Sequence, residues 1–245
     1  AEALRAGLLI RMGNPTEAET TLRHAGSILE AKLGPDHPNT ISSIEQRIEA
    51  LAALGRNEEA AQLSARVVEL CRSSFGPESP RTIEVELQFF PLLVDLDRLA
   101  EADALVTELL ERFPRVLGER NPNIITLCGN AANLALSLND PARANDLATR
   151  AERKTRELLG ANHPALRQVL LIRASALRTL ERTDEEITLL KEVFEHATSI
   201  EPANDTAAAR AAHFLARAFR LLGDAAQAEY WQAEASRLGS TLEPE

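Results

Sequence analysis

The sequence predicts an all-α protein built as a row of stacked helix-turn-helix units. Strong helix formers (Ala, Leu, Glu, Arg) dominate the 245 residues, and aromatic side chains are scarce at 4%. A helix-breaking phrase recurs without insertion or deletion: "LGPDHPNT" at Leu33, "FGPESPRT" at Phe75, "LGERNPNI" at Leu117 and "LGANHPAL" at Leu159, each start 42 residues after the last. Aligning the chain on that step produces columns of matching residues, the signature of an internal repeat.

Three columns run the full length. The residues before the second helix of each unit are Gly13, Gly55, Asp97, Asn139, Glu181 and Gly223. Gly, Asn and Asp suit a left-handed turn between two helices. Ala18, Ala60, Ala102, Ala144, Glu186 and Ala228 follow five positions on, and the small side chain predicts close helix packing. Met12, Leu54, Leu96, Leu138, Leu180 and Leu222 form a large apolar column.

Each unit reads as two helices. From Thr40 to Leu54 the apolar residues Ile44, Ile48, Leu51 and Leu54 recur at amphipathic helical spacing. After the Gly55 turn, "NEEAAQLSARVVELCRSSF" predicts a longer helix, with Asn57 as cap and two glutamates in its first turn. Pro15 and Pro141 follow Asn14 and Asp140, at the first helical position that proline prefers. The LG-x-x-x-P phrase closes the long helix with glycine and bars continuation with proline. His37 and His163 within it read as loop architecture, hydrogen-bonding neighbouring backbone, rather than as ligands.

The predicted hairpins span residues 1–32, 40–74, 82–116, 124–158, 166–198 and 206–238 of a single array covering 1–245. Stacked neighbours share the core that one hairpin cannot form alone. The first unit reads as cut, and the absence of an initiator methionine makes us expect a piece of a longer protein. The last unit replaces the LG phrase with "IEPANDT" and carries polar Gln232, as a solvent-facing terminal cap would.

Bulk properties narrow the function. A net charge of −10 disfavours nucleic-acid binding, which rests on phosphate neutralisation. No apolar run is long enough for a membrane span, and "AEALRAGLLIRMG" does not read as a leader. Cys71 and Cys128 form no CxxC and read as reduced thiols of a cytoplasmic protein.

The spacing "LGRNEEA" (Leu54–Ala60) and "LLGDAAQA" (Leu221–Ala228) resembles the tetratricopeptide repeat. The 42-residue step, the "LGPDHPNT" linker and "TLCGNAANLALSL" (Thr126–Leu138) are similar to the lengthened repeats of kinesin light chains, which bacterial multidomain proteins also carry. The resemblance implies a right-handed superhelical solenoid whose first helices line a concave groove for peptide segments of partners. The chain departs from the family where Leu9, Leu51, Leu93, Ala135 and Leu177 replace an aromatic residue that only Phe219 keeps. Arg5, Arg47 and Arg173 stand at a buried leucine position, which predicts shifted packing or snorkelling. Pro91 should kink its helix and make the groove irregular there.

On that analogy the groove-facing column is Leu4, Gln46, Gln88, Asn130, Ile172 and Phe214. Its three consecutive amides can donate to and accept from an extended main chain; in the family, an asparagine at the Asn130 position typically does this. The alternative is a solvated polar surface. Glu45, Glu49, Glu84 and Asp95 make the second and third units acidic, while Arg178, Arg210, Arg217, Arg220 and His213 make the last two basic. The candidate groove residues are therefore Gln46, Glu49, Gln88, Asn130, Asn133, Arg210, His213 and Arg217. This polarity suits a ligand with basic residues toward the first units and a carboxylate toward the last, unless the arginines are a solubilising surface. The chain lacks the spaced Lys/Asn/Lys/Arg clamp of chaperone-binding members, so no chaperone is expected.

No GxSxG, GxxxxGK[ST], HExxH or GxGxxG motif occurs, and histidines 24, 37, 163, 196 and 213 lack ligand spacing. No catalytic residue, metal or cofactor is assigned. The preferred reading is a non-enzymatic interaction scaffold for a protein or peptide, with self-association through the first unit as a further partner. The alternative is a sensor segment of a larger bacterial signalling protein with a kinase, peptidase or nucleotide-binding domain elsewhere.

Overall fold

The computed structural model describes residues 9, 12–199 and 205–239, with backbone alone at Asp205. Every regular element among them is a helix. Two compact units divide the chain at Glu119 and Arg120. The first holds α1 (Pro15–Leu33), α2 (Pro38–Ala53), α3 (Asn57–Phe75), α4 (Pro80–Asp95) and α5 (Leu99–Leu117). The second holds α6 (Asn123–Ser137), α7 (Pro141–Leu158), α8 (Ala165–Thr179), α9 (Thr183–Thr198), α10 (Asp205–Leu221) and α11 (Ala225–Arg237). Within each unit every helix packs on the next in sequence, which is the expected run of antiparallel hairpins. In the second unit α6 also touches α8. Leu4, Arg5 and most of "IEPANDT" lie outside the described residues.

Local chemistry explains the regularity. All six residues of the predicted turn column adopt the left-handed conformation, from Gly55 at φ 71° to Asp97 at 58°, Asn139 at 58° and Glu181 at 59°. In the linker, Gly34, Gly76 and Gly118 end their helices at φ 93°, 83° and 88°, with ψ of 163°, 161° and 149°. Glycine alone adopts this combination readily. Three residues on, His37, Ser79, Asn121 and His163 each accept the N–H two positions ahead, at 3.1, 3.3, 3.0 and 3.1 Å. His37 thus caps α2, and His163 makes the same backbone bond one residue before the Pro164 N-cap of α8, both as loop architecture predicts. Pro38 and Pro80 open α2 and α4, so these helices start two residues earlier than expected. Proline loses nothing there, because its missing N–H would be unpaired anyway.

The alanine column is core. Ala18, Ala60, Ala102 and Ala144 are fully buried, as is Glu186 where the pattern breaks. The large apolar column is not core: Met12, Leu138 and Leu222 are exposed. Its leucines cap helix C-termini before the left-handed turn, as at Leu54 and Leu96, so they match by helix-end geometry rather than burial.

The expected Asn57 cap is also displaced. Arg56 holds the cap position without a side-chain cap bond, and both its Nε and Nη2 donate to Glu59 at 2.6 Å. Arg98–Glu101 and Arg182–Glu185 repeat the bracket. Asp140 and Asp224 use conventional caps, accepting from the N–H groups of Arg143 and Gln227. In the bracketed turns the glutamate restores negative charge near the helix N-terminus.

Charged residues in core columns are paired instead of snorkelling freely. Arg47 donates to Glu19 at 3.0 Å, and Arg173 to Glu152 at 2.7 Å. Glu86, on α4, accepts from Arg72 and Arg112 at 2.7 Å each, and Arg112 also donates to the Pro77 carbonyl. α4 continues past Pro91, and α5 contains a second internal proline, Pro114.

Candidate functional site

In the first unit three of the candidate residues converge. Gln46 and Glu49 on α2 and Gln88 on α4 line an open pocket of ≈ 490 Å³, whose walls include Ile48, Pro91 and Leu92. Pro91 has no N–H, so the Leu87 carbonyl lacks its usual helical donor. The side-chain oxygens Glu45 Oε1 and Gln46 Oε1 are buried without a donor. A buried acceptor left unpaired costs about 1–3 kcal/mol.

The acidity is partly compensated. Arg81 donates to Glu45 Oε2 at 2.6 Å and lies 3.5 Å from Glu84. Arg81 follows Pro80 in the first turn of α4, where a pattern reading of the acidic residues alone misses it. Glu49 and Asp95 are exposed.

The second unit distributes its candidates. Asn130 is half-buried and Asn133 exposed on α6. Here α8 comes close: a Cβ built on Gly129 would lie 3.9 Å from Ile172. Arg210 joins Pro164, Arg167, Gln168 and Leu171 around a separate pocket of ≈ 380 Å³. Arg167, absent from the sequence candidates, is only 8% exposed. Its Nη1 lies 3.2 Å from His196 Nδ1. Guanidinium only donates, so Nδ1 accepts and the ring proton sits on Nε2, which is buried and unpaired.

His213 meets Phe214 edge-on at 5.7 Å, and the Arg178 guanidinium lies 4.8 Å above the same ring. Arg217 is exposed, and with Arg178 it acts on the buried Glu186 carboxyl. Burial pushes the Glu186 pKa up, and the two arginines only partly oppose that. Arg220 donates to Gln232 at 2.6 Å beside a third pocket of ≈ 510 Å³ lined by Ala225, Ala228 and Ala233. The predicted terminal-cap residue is therefore half-buried and paired.

Burial pushes the Cys71 thiol up, away from the thiolate form, and Cys128 is buried too. Among the described residues no three His, Cys, Asp or Glu side chains are placed to hold a metal ion. No described helix is long and apolar enough to cross a membrane.

A family model described as tetratricopeptide repeat matches residues 5–39 and 49–81. Its two matched segments cover the first two turn-and-alanine signatures. Over those residues the chain carries tetratricopeptide repeats. The chain is similar to the Podosopora anserina putative kinesin light chain nearly identical TPR-like repeats, at 19% identity and TM-score 0.72, covering 81% of this chain and 93% of that one. It is also similar to BtubC (BKLC) from P. vanneervenii, at 14% identity and TM-score 0.75, covering 94% and 93%. A signal transduction ATPase with numerous domains and a tetratricopeptide repeat sensor, from Pyrococcus horikoshii, matches at 16% identity and TM-score 0.80. That match covers 96% of this chain and 35% of the ATPase. Identities this low establish the shared repeat fold alone. No curated protein matches the chain.

Proposed function

We propose that this tetratricopeptide-repeat chain is an interaction scaffold that captures extended peptide segments along the first helices of its hairpins. The observation that carries the reading is the amide column of Gln46, Gln88 and Asn130. Gln88 is exposed, and Gln46 and Asn130 are half-exposed. Amides that both donate and accept hold a peptide main chain irrespective of its sequence. The first unit supplies Gln46, Glu49 and Gln88. The second supplies Asn130 and Asn133, with Arg210, His213 and Arg217 for acidic ligands.

Selection of displayed peptides on the full chain, followed by titration of the selected peptides, tests this. Gln88→Ala and Asn130→Ala should each weaken binding about fivefold, the worth of one hydrogen bond. Reversing Arg210 and Arg217 to glutamate should weaken acidic peptides further. Unchanged affinity in all of these variants would reject the groove.

A second reading takes its support from the likeness to an ATPase that carries a tetratricopeptide repeat sensor. In it, the chain is a sensor segment whose curvature changes on binding and biases a signalling domain. Small-angle scattering with and without a selected peptide tests it. An unchanged radius of gyration would remove it while leaving the scaffold reading intact.

A further inference from the structure

We propose that the pocket between α2 and α4 is a subsite for one cationic side chain, an arginine or lysine of the bound segment. This deepens the peptide-binding reading and rests on it for its biological setting, but its chemistry stands on the first unit alone. The volume, ≈ 490 Å³, falls within the roughly 300–1,000 Å³ of ordinary ligand pockets. Ile48, Pro91 and Leu92 give it apolar walls, against which the methylene stem of a long basic side chain packs while its head stays polar.

The head would meet acceptors. Glu45 and Glu49 stand one turn apart on α2, and Gln46 and Gln88 flank them. Arg81 occupies Glu45 Oε2 at 2.6 Å, which leaves the exposed Glu49 carboxylate, with the exposed Gln88 amide beside it, open to the head. A neutral amide or hydroxyl supplies one or two donors to this set, whereas an ammonium supplies three and a guanidinium five. An anion would be repelled by Glu49 and Glu45.

The test is NMR titration of the ¹⁵N-labelled full chain with three capped single residues: Nα-acetyl-arginine methylamide, its lysine counterpart and the neutral isostere Nα-acetyl-citrulline methylamide. The arginine or lysine probe should shift the Gln46 and Gln88 side-chain NH₂ signals and backbone amides of α2 and α4, with citrulline clearly weaker. Glu49→Gln should reduce the affinity of the cationic probe about fivefold, the upper worth of one exposed ion pair, while Glu69→Gln on α3 should leave it unchanged. Equal shifts with citrulline, shifts confined elsewhere, or none at all would overturn the subsite. Single capped residues read the pocket whether or not a peptide binds, so failure of the groove would not mask this result. Conversely, selected peptides that bind with no dependence on basic residues or on Glu49 would keep the scaffold reading and end this one.

Discussion

Arg112 Nη2 donates to Glu86 Oε2 at 2.7 Å, with the glutamate side chain fully buried and the arginine 9% exposed. Glu86 lies 42 residues after Ile44 and 42 before Cys128, so a carboxylate occupies what is an apolar core position in neighbouring hairpins. Arg72, from α3, completes the bridge. Removing Arg112 leaves the buried Glu86 with Arg72 as its one remaining cation and takes away a charged hydrogen bond: Arg112→Ala should destabilise the protein by about 1.5–3 kcal/mol. The double change Glu86→Ile with Arg112→Leu borrows the residues of the second hairpin, Ile44 and Leu70, and should lie within about 1 kcal/mol of the parent. Urea unfolding of both variants checks this. A double variant as unstable as the single one would show that the ion cluster itself specifies the packing.

That cluster also marks the limit of what was legible in the sequence. The repeat, the left-handed turn column, the proline starts and the linker caps are local backbone rules, and each could be read from adjacent residues. The Arg72–Glu86–Arg112 bridge joins three helices across separations of 14 and 26 residues, which no local pattern reveals. The leucines before the turns were legible as a large apolar column, but not that helix-end geometry leaves Leu138 and Leu222 in solvent. The acidic tract of the second and third hairpins was legible, but the partner that tempers it, Arg81, was not. The pocket beside Gln46 arises because α2 and α4 leave room between them, whereas α6 and α8 close at Gly129. That depends on non-local packing.

Glu181 is held at φ 59°, where an L side chain other than asparagine or aspartate is strained. The left-handed region costs such a residue roughly 1–2 kcal/mol. The equivalent Asn139 adopts the same angle with a side chain that tolerates it. Glu181→Asn should therefore raise stability by about 0.5–1 kcal/mol, without the unfolded-state entropy that glycine would add. Chemical denaturation reads the change. A neutral or destabilising result would mean that the exposed carboxylate contributes something the backbone angle does not reveal.

His37 Nδ1 accepts the Asn39 N–H at 3.1 Å, the role that Asn121 fills two linkers later. The two side chains are interchangeable for this bond. His37→Asn should leave the melting temperature unchanged, while His37→Ala should cost about 1 kcal/mol, the worth of a helix N-cap. If alanine were harmless, or asparagine as damaging as alanine, the histidine would be acting other than as a cap.

Glu186 gives the clearest dependence on pH. It replaces the alanine of five other hairpins and is buried to 3% exposure. Burial raises its pKa, and the attraction of Arg178 on α8 and Arg217 on α10 does not cancel the rise. A carboxyl whose folded pKa is raised stabilises the fold most in its protonated form. That contribution is complete below the unfolded value, about 4.3, and is lost as pH climbs through the folded value. Glu186→Gln stays neutral at every pH, so it should match the parent near pH 4 and be more stable by on the order of 1 kcal/mol at neutrality. Thermal unfolding of both proteins across this range measures the gap. A gap that narrows toward neutral pH would reverse the sign, and would mean that the two arginines, rather than burial, set the state of this carboxyl.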